Sequence, residues 1–153
     1  MRAKLTILAV GLAVLGLFAC SKPGPPVHSE GWLTSYEEAV QKSKETGKPI
    51  LMDFTGSNWC GWCIKLRKEV FDTPEFAKWA DENVVLLELD FPQGVEQAPD
   101  IKEQNHQLME KYQVEGFPTI LFVTSEGKVL GRYGYDTGGP ASWTSKAGEM
   151  IKG

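Results

Sequence analysis

Two cysteines three residues apart, in Trp59-Cys60-Gly61-Trp62-Cys63, constrain this chain more than any other feature. They follow an apolar, strand-like run over residues 49–54 and precede a helix-like run over residues 64–70. Side chains three apart on a helix share one side, so two sulfurs at this spacing can close a small ring with little backbone movement. A strand that ends in a short loop and feeds such a helix points to thiol–disulfide chemistry. Cys60 is expected at the helix start, where unpaired N–H groups and the helix dipole favour negative charge. That lowers a thiol pKa and populates the thiolate, the form that attacks. Cys63, one turn further in, is expected to be the more buried, resolving partner. Taken alone, the pair is also compatible with a structural disulfide or with half of a metal site.

The rest of the chain narrows the choice. With 153 residues, 42% of them hydrophobic and 24% charged, it is long enough for one domain with its own core. A net charge of −4 gives no basis for nucleic-acid binding. Residues 1–19 are expected to be a signal peptide. Arg2 and Lys4 precede an uncharged apolar run over residues 5–18, too short to span a bilayer comfortably. Leu17-Phe18-Ala19-Cys20 resembles the lipobox of bacterial lipoproteins, in which the cysteine is lipidated and becomes the mature N-terminus. An uncleaved membrane anchor is the alternative. Lipidation of Cys20 also accounts for an odd count of three cysteines, leaving Cys60 and Cys63 as a pair. Without residues 1–19 the chain has 14 basic and 20 acidic residues, a net charge of −6, so lipid chains rather than anionic headgroups would hold it to a membrane. Residues 20–31 are a linker; three prolines and a glycine within residues 21–30 disfavour helix and sheet, and His28 is expected there as an exposed side chain. Ser21 after the lipidated position implies outer-membrane sorting if the source is Gram-negative.

The domain is expected over residues 32–153. Thr34-Ser35-Tyr36-Glu37 reads as a capping box for a helix ending near Thr46 before Gly47, with Trp32, Tyr36, Ala39 and Val40 as its apolar face. Residues 50–54 read as a central strand covered on both faces. Asp53 is the exception within it, a carboxyl that is costly to bury unless paired or protonated. It reads either as a buried acid that moves protons for the resolving thiol or as a strand-end acid bonded to loop backbone. Trp59 is expected to pack beside the nucleophile. Thr73-Pro74 restarts the helix as N-cap and first residue, with Phe76, Ala77 and Ala80 facing in and Phe71, Phe76 and Trp79 in the core or a groove. Residues 84–89 form a second buried strand, residues 91–100 a loop, and residues 101–112 a helix on which His106 is solvated. Gly116-Phe117-Pro118-Thr119 opens a strand over residues 120–124, and Ser125-Glu126-Gly127-Lys128 turns it into an antiparallel neighbour over residues 129–135. Gly138-Gly139-Pro140 reads as a break before a last helix over residues 143–151.

This order of elements resembles thioredoxin over residues 33–152. Ile50-Leu51-Met52-Asp53-Phe54 is similar to its central strand with a buried Asp, Trp59-Cys60-Gly61-Trp62-Cys63 to its WCGPC, and Gly116-Phe117-Pro118-Thr119 to its cis-proline motif. The stretch from Gly56 through Phe71 looks most like exported thioredoxin-like proteins of bacteria. The resemblance implies an α/β, thioredoxin-like fold with a central mixed sheet flanked by helices. It implies that Cys60 attacks a substrate disulfide and Cys63 resolves the mixed disulfide, with Asp53 assisting Cys63. Pro118, in cis, would lie against the sulfurs, exclude metal and offer backbone to an added substrate strand. Trp59, Gly61, Trp62 and Phe117 are the supporting residues. Three departures stand out. Trp62 replaces the proline within the motif. One extra residue separates Asp53 from Cys60. Leu86 falls where thioredoxin places a lysine near its buried Asp, so that acid is expected to lack a cation.

The function expected is that of an exported, lipid-anchored thiol–disulfide oxidoreductase, as a reductase of protein disulfides. It would need no cofactor beyond the Cys60–Cys63 pair and no metal. It would be re-reduced by a membrane or periplasmic thiol donor, because an exported compartment is oxidising. A monomer is expected. One rival is a Cu(I) carrier or sensor using the two thiolates; another is a binding module whose disulfide is permanent.

Overall fold

A computed structural model describes residues 31–152; Cys20, His28, the expected signal peptide and all but the last residue of the expected linker lie outside the described residues. Four strands form one sheet in the order β2-β1-β3-β4: β1 (Ile50–Thr55), β2 (Val85–Asp90), β3 (Thr119–Val123) and β4 (Val129–Tyr133). β1 runs parallel to β2 and antiparallel to β3, and β3 pairs antiparallel with β4. The mixed sheet expected from the sequence is therefore present. Its helices are α1 (Tyr36–Thr46), α2 (Gly61–Leu66), α3 (Pro74–Asn83), α4 (Pro99–Lys111) and α5 (Gly139–Met150), with a π-helical turn over Arg67–Phe71 after α2.

β1 is buried at all six positions, and side chains along a strand alternate between faces. Ile50, Met52 and Phe54 pack with Ala39 of α1 and Leu108 of α4. Leu51, on the other face, packs with Leu66, Val70, Phe71, Phe76 and Trp143, from α2, the π turn, α3 and α5. Asp53 has the parity of Leu51 and so points toward the cysteine helix. The aromatic core on that side is built around Trp143, whose ring meets Phe71 at 5.3 Å and Phe76 at 5.7 Å.

Several local expectations are corrected. The N-cap of α1 is Ser35, whose Oγ accepts from the Glu38 N–H at 3.3 Å, one residue later than the Thr34 box. Trp32 does not belong to the α1 face. Leu33 forms a parallel bridge to Leu87, bringing its chain along the edge of β2. Alternation then sends Leu33 toward α1 and Trp32 to the opposite face, against Phe71 at 5.2 Å. Ala77 is exposed rather than inward-facing. The last helix starts at Gly139, not at 143, because Pro140 at a first-turn position needs no donor there and Gly138, at φ 112°, makes the entry turn. The C-cap of α1 is as expected: Gly47, at φ 71°, donates its N–H to the Ser43 carbonyl at 2.8 Å. Thr73 caps α3, its Oγ1 accepting from the Phe76 N–H at 3.2 Å.

Candidate active site

The loop between β1 and α2 delivers both cysteines. Gly56 O accepts from the N–H groups of Trp59 and Cys60, at 3.2 and 2.9 Å, closing a tight turn. Cys60 is the N-cap of α2, with extended backbone, and its Sγ accepts from the Cys63 N–H at 3.2 Å. The two sulfurs are joined in a disulfide with Cα atoms 5.2 Å apart. Cys60 is 7% exposed and Cys63 4%, so both are nearly covered and the second is the more enclosed. A sulfur at an N-cap sits among the unpaired N–H groups that begin a helix, which favours its thiolate once the disulfide opens.

The loop is bolted to the end of β2. Asp90 accepts from Ser57 twice, from the backbone N–H at 2.9 Å and from Oγ at 2.6 Å. Asn58 exchanges two hydrogen bonds with the Gln93 backbone, at 2.7 and 3.0 Å. Trp59 Nε1 donates to the Phe91 carbonyl at 2.8 Å. The Trp59 ring lies across Gly56, where an added Cβ would come within 2.5 Å of it, so a side chain at 56 is incompatible with this ring position. Trp59 also meets Phe117 edge-on at 5.9 Å, and Phe117 stacks on Phe91 at 5.0 Å. The aromatic chain Trp59–Phe117–Phe91 thus joins the cysteine loop to the residue before Pro118. The Phe117–Pro118 peptide is cis. His106 stands edge-on to Phe91 at 5.4 Å, away from the cysteines in sequence and on an exposed helix face.

Trp62 is 59% exposed, the most open large apolar side chain beside the disulfide. Its ring meets Tyr135 at 5.1 Å, and Lys65 Nζ lies 5.3 and 5.0 Å from the two ring centres. Tyr135 OH donates to Glu69 at 2.8 Å, so the face beyond the motif is an aromatic ledge edged by charge. Gly61 opens α2, is exposed, and has no atom within 4 Å of a Cβ built on it; sterics do not demand glycine there.

On the side of β1 that meets the π turn after α2, the structure adds two residues that the sequence reading missed. Asp53 pairs in register with Glu88 on β2, and both are buried, at 3% and 4% exposure. Arg67 reaches both: it is ion-paired closely with Glu88, lies 3.7 Å from Asp53 Oδ2, and has its guanidinium 5.5 Å from the Trp32 ring centre. The expected absence of a cation beside Asp53 is therefore overturned. Register explains the error: Leu86 opposes Leu51, whereas Glu88 opposes Asp53, and the cation comes from the helix side. Signals for both residues were present. Arg67 is four residues beyond Cys63 and seven beyond Cys60, on the same helix face, and Glu88 interrupts an apolar strand as Asp53 does. Burial is the largest influence on Asp53 and raises its pKa from 3.8 to about 7; Arg67 opposes the rise, and Glu88 and Asp90 add to it.

Comparison with known proteins places these features in a lineage. A family model described as a thioredoxin-like domain matches residues 36–138. The chain is 41% identical over 118 residues to "Disulfide bond reductase DsbH" of Chlamydia pneumoniae, covering 77% of this chain and 71% of that protein. It is 36% identical over 110 residues to "Thioredoxin-related protein DsbJ" of Chlamydia pneumoniae, a longer protein of which it spans 32%. A solved structure titled "DsbH Oxidoreductase" superposes with a TM-score of 0.77 at 37% identity, covering 86% of this chain and 92% of that one.

Proposed function

This chain belongs to the thioredoxin-like domain family and is a thiol–disulfide oxidoreductase, and we propose that it is an exported, lipid-anchored reductase of protein disulfides acting through Cys60 and Cys63. The observation that carries the reading is the Cys60–Cys63 disulfide at the N-terminus of α2, with the first sulfur at the cap. The 41% identity to a protein named a disulfide bond reductase supports the direction.

The cycle begins with the reduced pair. The Cys60 thiolate attacks one sulfur of a substrate disulfide, forming a mixed disulfide and releasing the other substrate sulfur as a thiolate that takes up a proton. Asp53 accepts the Cys63 thiol proton, Cys63 attacks Cys60 Sγ, and the second substrate sulfur leaves and is protonated. One substrate disulfide becomes two thiols while the Cys60–Cys63 dithiol becomes the disulfide. A dithiol donor from the membrane or periplasm then reduces it by the reverse exchange. The ledge of exposed Trp62 and half-buried Tyr135 and the backbone at Pro118 are the surfaces offered to an extended substrate segment. Buried Asp53 with a pKa near neutrality suits proton exchange with a thiol.

Direction is tested by equilibrating the domain in glutathione or dithiothreitol buffers and following tryptophan fluorescence. The expected potential lies near thioredoxin's, about −270 mV; a value near −120 mV, that of a strong oxidant, would reverse the direction. Failure to titrate anywhere in that range would leave a permanent disulfide. The anchor rests on the sequence Leu17-Phe18-Ala19-Cys20. Labelled palmitate should be incorporated by the full chain and by Cys60→Ser but not by Cys20→Ser; incorporation into Cys20→Ser would remove the lipoprotein reading. Among the described residues no helix is long and apolar enough to cross a membrane.

A further inference from the structure

The buried carboxylate pair raises a question that the thiol cycle does not answer. A buried acid facing a guanidinium ordinarily becomes a permanent anion, because the opposite charge offsets desolvation. Asp53 has such a guanidinium at hand, yet Arg67 makes its close contact with Glu88 and stays 3.7 Å from Asp53 Oδ2. Asp53 Oδ1 is buried and accepts no hydrogen bond among the described residues. A carboxylate left in this condition is poorly solvated by the protein, and its neutral form is favoured.

The geometry of this cluster points to an inference that rests on Asp53 serving the resolving thiol: we propose that Glu88 is a positioning residue for the reaction, drawing Arg67 onto itself and so keeping Asp53 a proton carrier instead of a fixed anion. The two carboxylates are register partners on adjacent parallel strands, and both meet Arg67 of the π turn. Arg67 comes from that turn, on the helix face that carries both cysteines. Its position is fixed by the close pair with Glu88 and by the Trp32 ring under its guanidinium. The charged groups that act on Asp53 are Arg67 from the turn and Glu88 and Asp90 from β2. On β3 its register partner is the apolar Ile120, and Asp90 is engaged by Ser57. On the Arg67 face α2 contributes Cys63, which is held in the disulfide in this structure. If Arg67 swung fully onto Asp53, the base would be too weak to take a thiol proton near neutral pH. Glu88 prevents that both as the competing anion and as a like charge beside Asp53.

The test reads Asp53 directly. Carbon-13 NMR of labelled aspartate carboxyls in the oxidised protein follows its titration without any turnover. In Glu88→Gln the midpoint should fall by about one pH unit or more, because Arg67 is released to Asp53 and a neighbouring negative charge is lost. In Arg67→Gln it should rise. The acid limb of the pH profile for release of the mixed disulfide should move with the midpoint in each variant. An Asp53 midpoint in Glu88→Gln within about 0.3 pH unit of wild type would overturn the proposal. Should Glu88→Gln fail to fold, Glu88→Asp, which keeps the charge but shortens the reach to Arg67, decides: the midpoint should fall, and one within about 0.3 pH unit of wild type overturns the proposal equally. These readings stand apart from the oxidoreductase reading, whose failure would show as turnover surviving without Cys60.

Discussion

Cys60→Ser abolishes reduction of protein disulfides, with turnover falling to the uncatalysed background, a loss on the order of 10⁴-fold or more. Serine keeps the size and the cap position of the side chain, so the fold should persist and the loss can be read as chemistry. An alcohol is a far weaker acid than a thiol, so the N-cap environment that favours a thiolate does not ionise a hydroxyl at neutral pH. Cys63→Ser should fail differently. Cys60 still attacks, but no second thiol is present to displace it, and the enzyme accumulates as a covalent complex with its substrate that dithiothreitol releases. The measurement is insulin-type disulfide reduction for the first variant and non-reducing electrophoresis with a disulfide-bonded substrate for the second. Turnover retained in Cys60→Ser would remove the assigned nucleophile. Partner binding unchanged in Cys60→Ser, together with no turnover in the wild type, would establish the permanent-disulfide module instead.

The sequence was legible where one local rule decided the outcome. The apolar run of β1, the cysteine spacing and Thr73-Pro74 each carry their own signal, and each appears in place. It was less legible where two rules competed. Thr34 and Ser35 can both cap a helix; the tertiary contacts of Leu33 with Leu87 settle the entry path, and Ser35 becomes the cap. Gly138-Gly139-Pro140 reads as a break by composition, yet Pro140 also fits the first turn of a helix and Gly138, at φ 112°, makes the entry turn, so the helix begins at Gly139. Trp32 was misplaced because the edge pairing of its neighbour Leu33 is long-range and leaves no periodicity in one strand's sequence. The Asp53–Glu88–Arg67 cluster is the main omission at the site. It depends on a two-strand register and a helix face meeting in space, and no one segment holds all three residues. Glu88, like Asp53, is a carboxyl set within an apolar strand, so each carries its own mark of costly burial, and the strand register brings them together.

Asp53→Asn should stabilise the folded domain above neutral pH while slowing the resolving step, and the two effects have one cause. Folding raises the Asp53 pKa from 3.8 to about 7, burial being the largest influence, so the folded state holds this proton more tightly than the unfolded chain does. Below about pH 4 both states are protonated and the group has no effect. Between about pH 4 and pH 7 the unfolded chain loses the proton first, and stability falls as pH rises. Above about 7 the folded state must carry a buried anion, and the full difference, about 4 kcal/mol at ~1.4 kcal/mol per pH unit, is lost. Asparagine cannot ionise, so the variant escapes this loss. Its urea midpoint should exceed that of the wild type at pH 8, and the gap should close by pH 4. The same substitution removes the base for the Cys63 proton and should slow release of the mixed disulfide by roughly 10²-fold at neutral pH. A residue with a packing role alone would lower stability at every pH when replaced. A stability difference that does not change between pH 4 and pH 8, or a resolving rate equal to that of the wild type, would therefore separate Asp53 from the proton transfer and leave Cys63 to lose its proton to solvent.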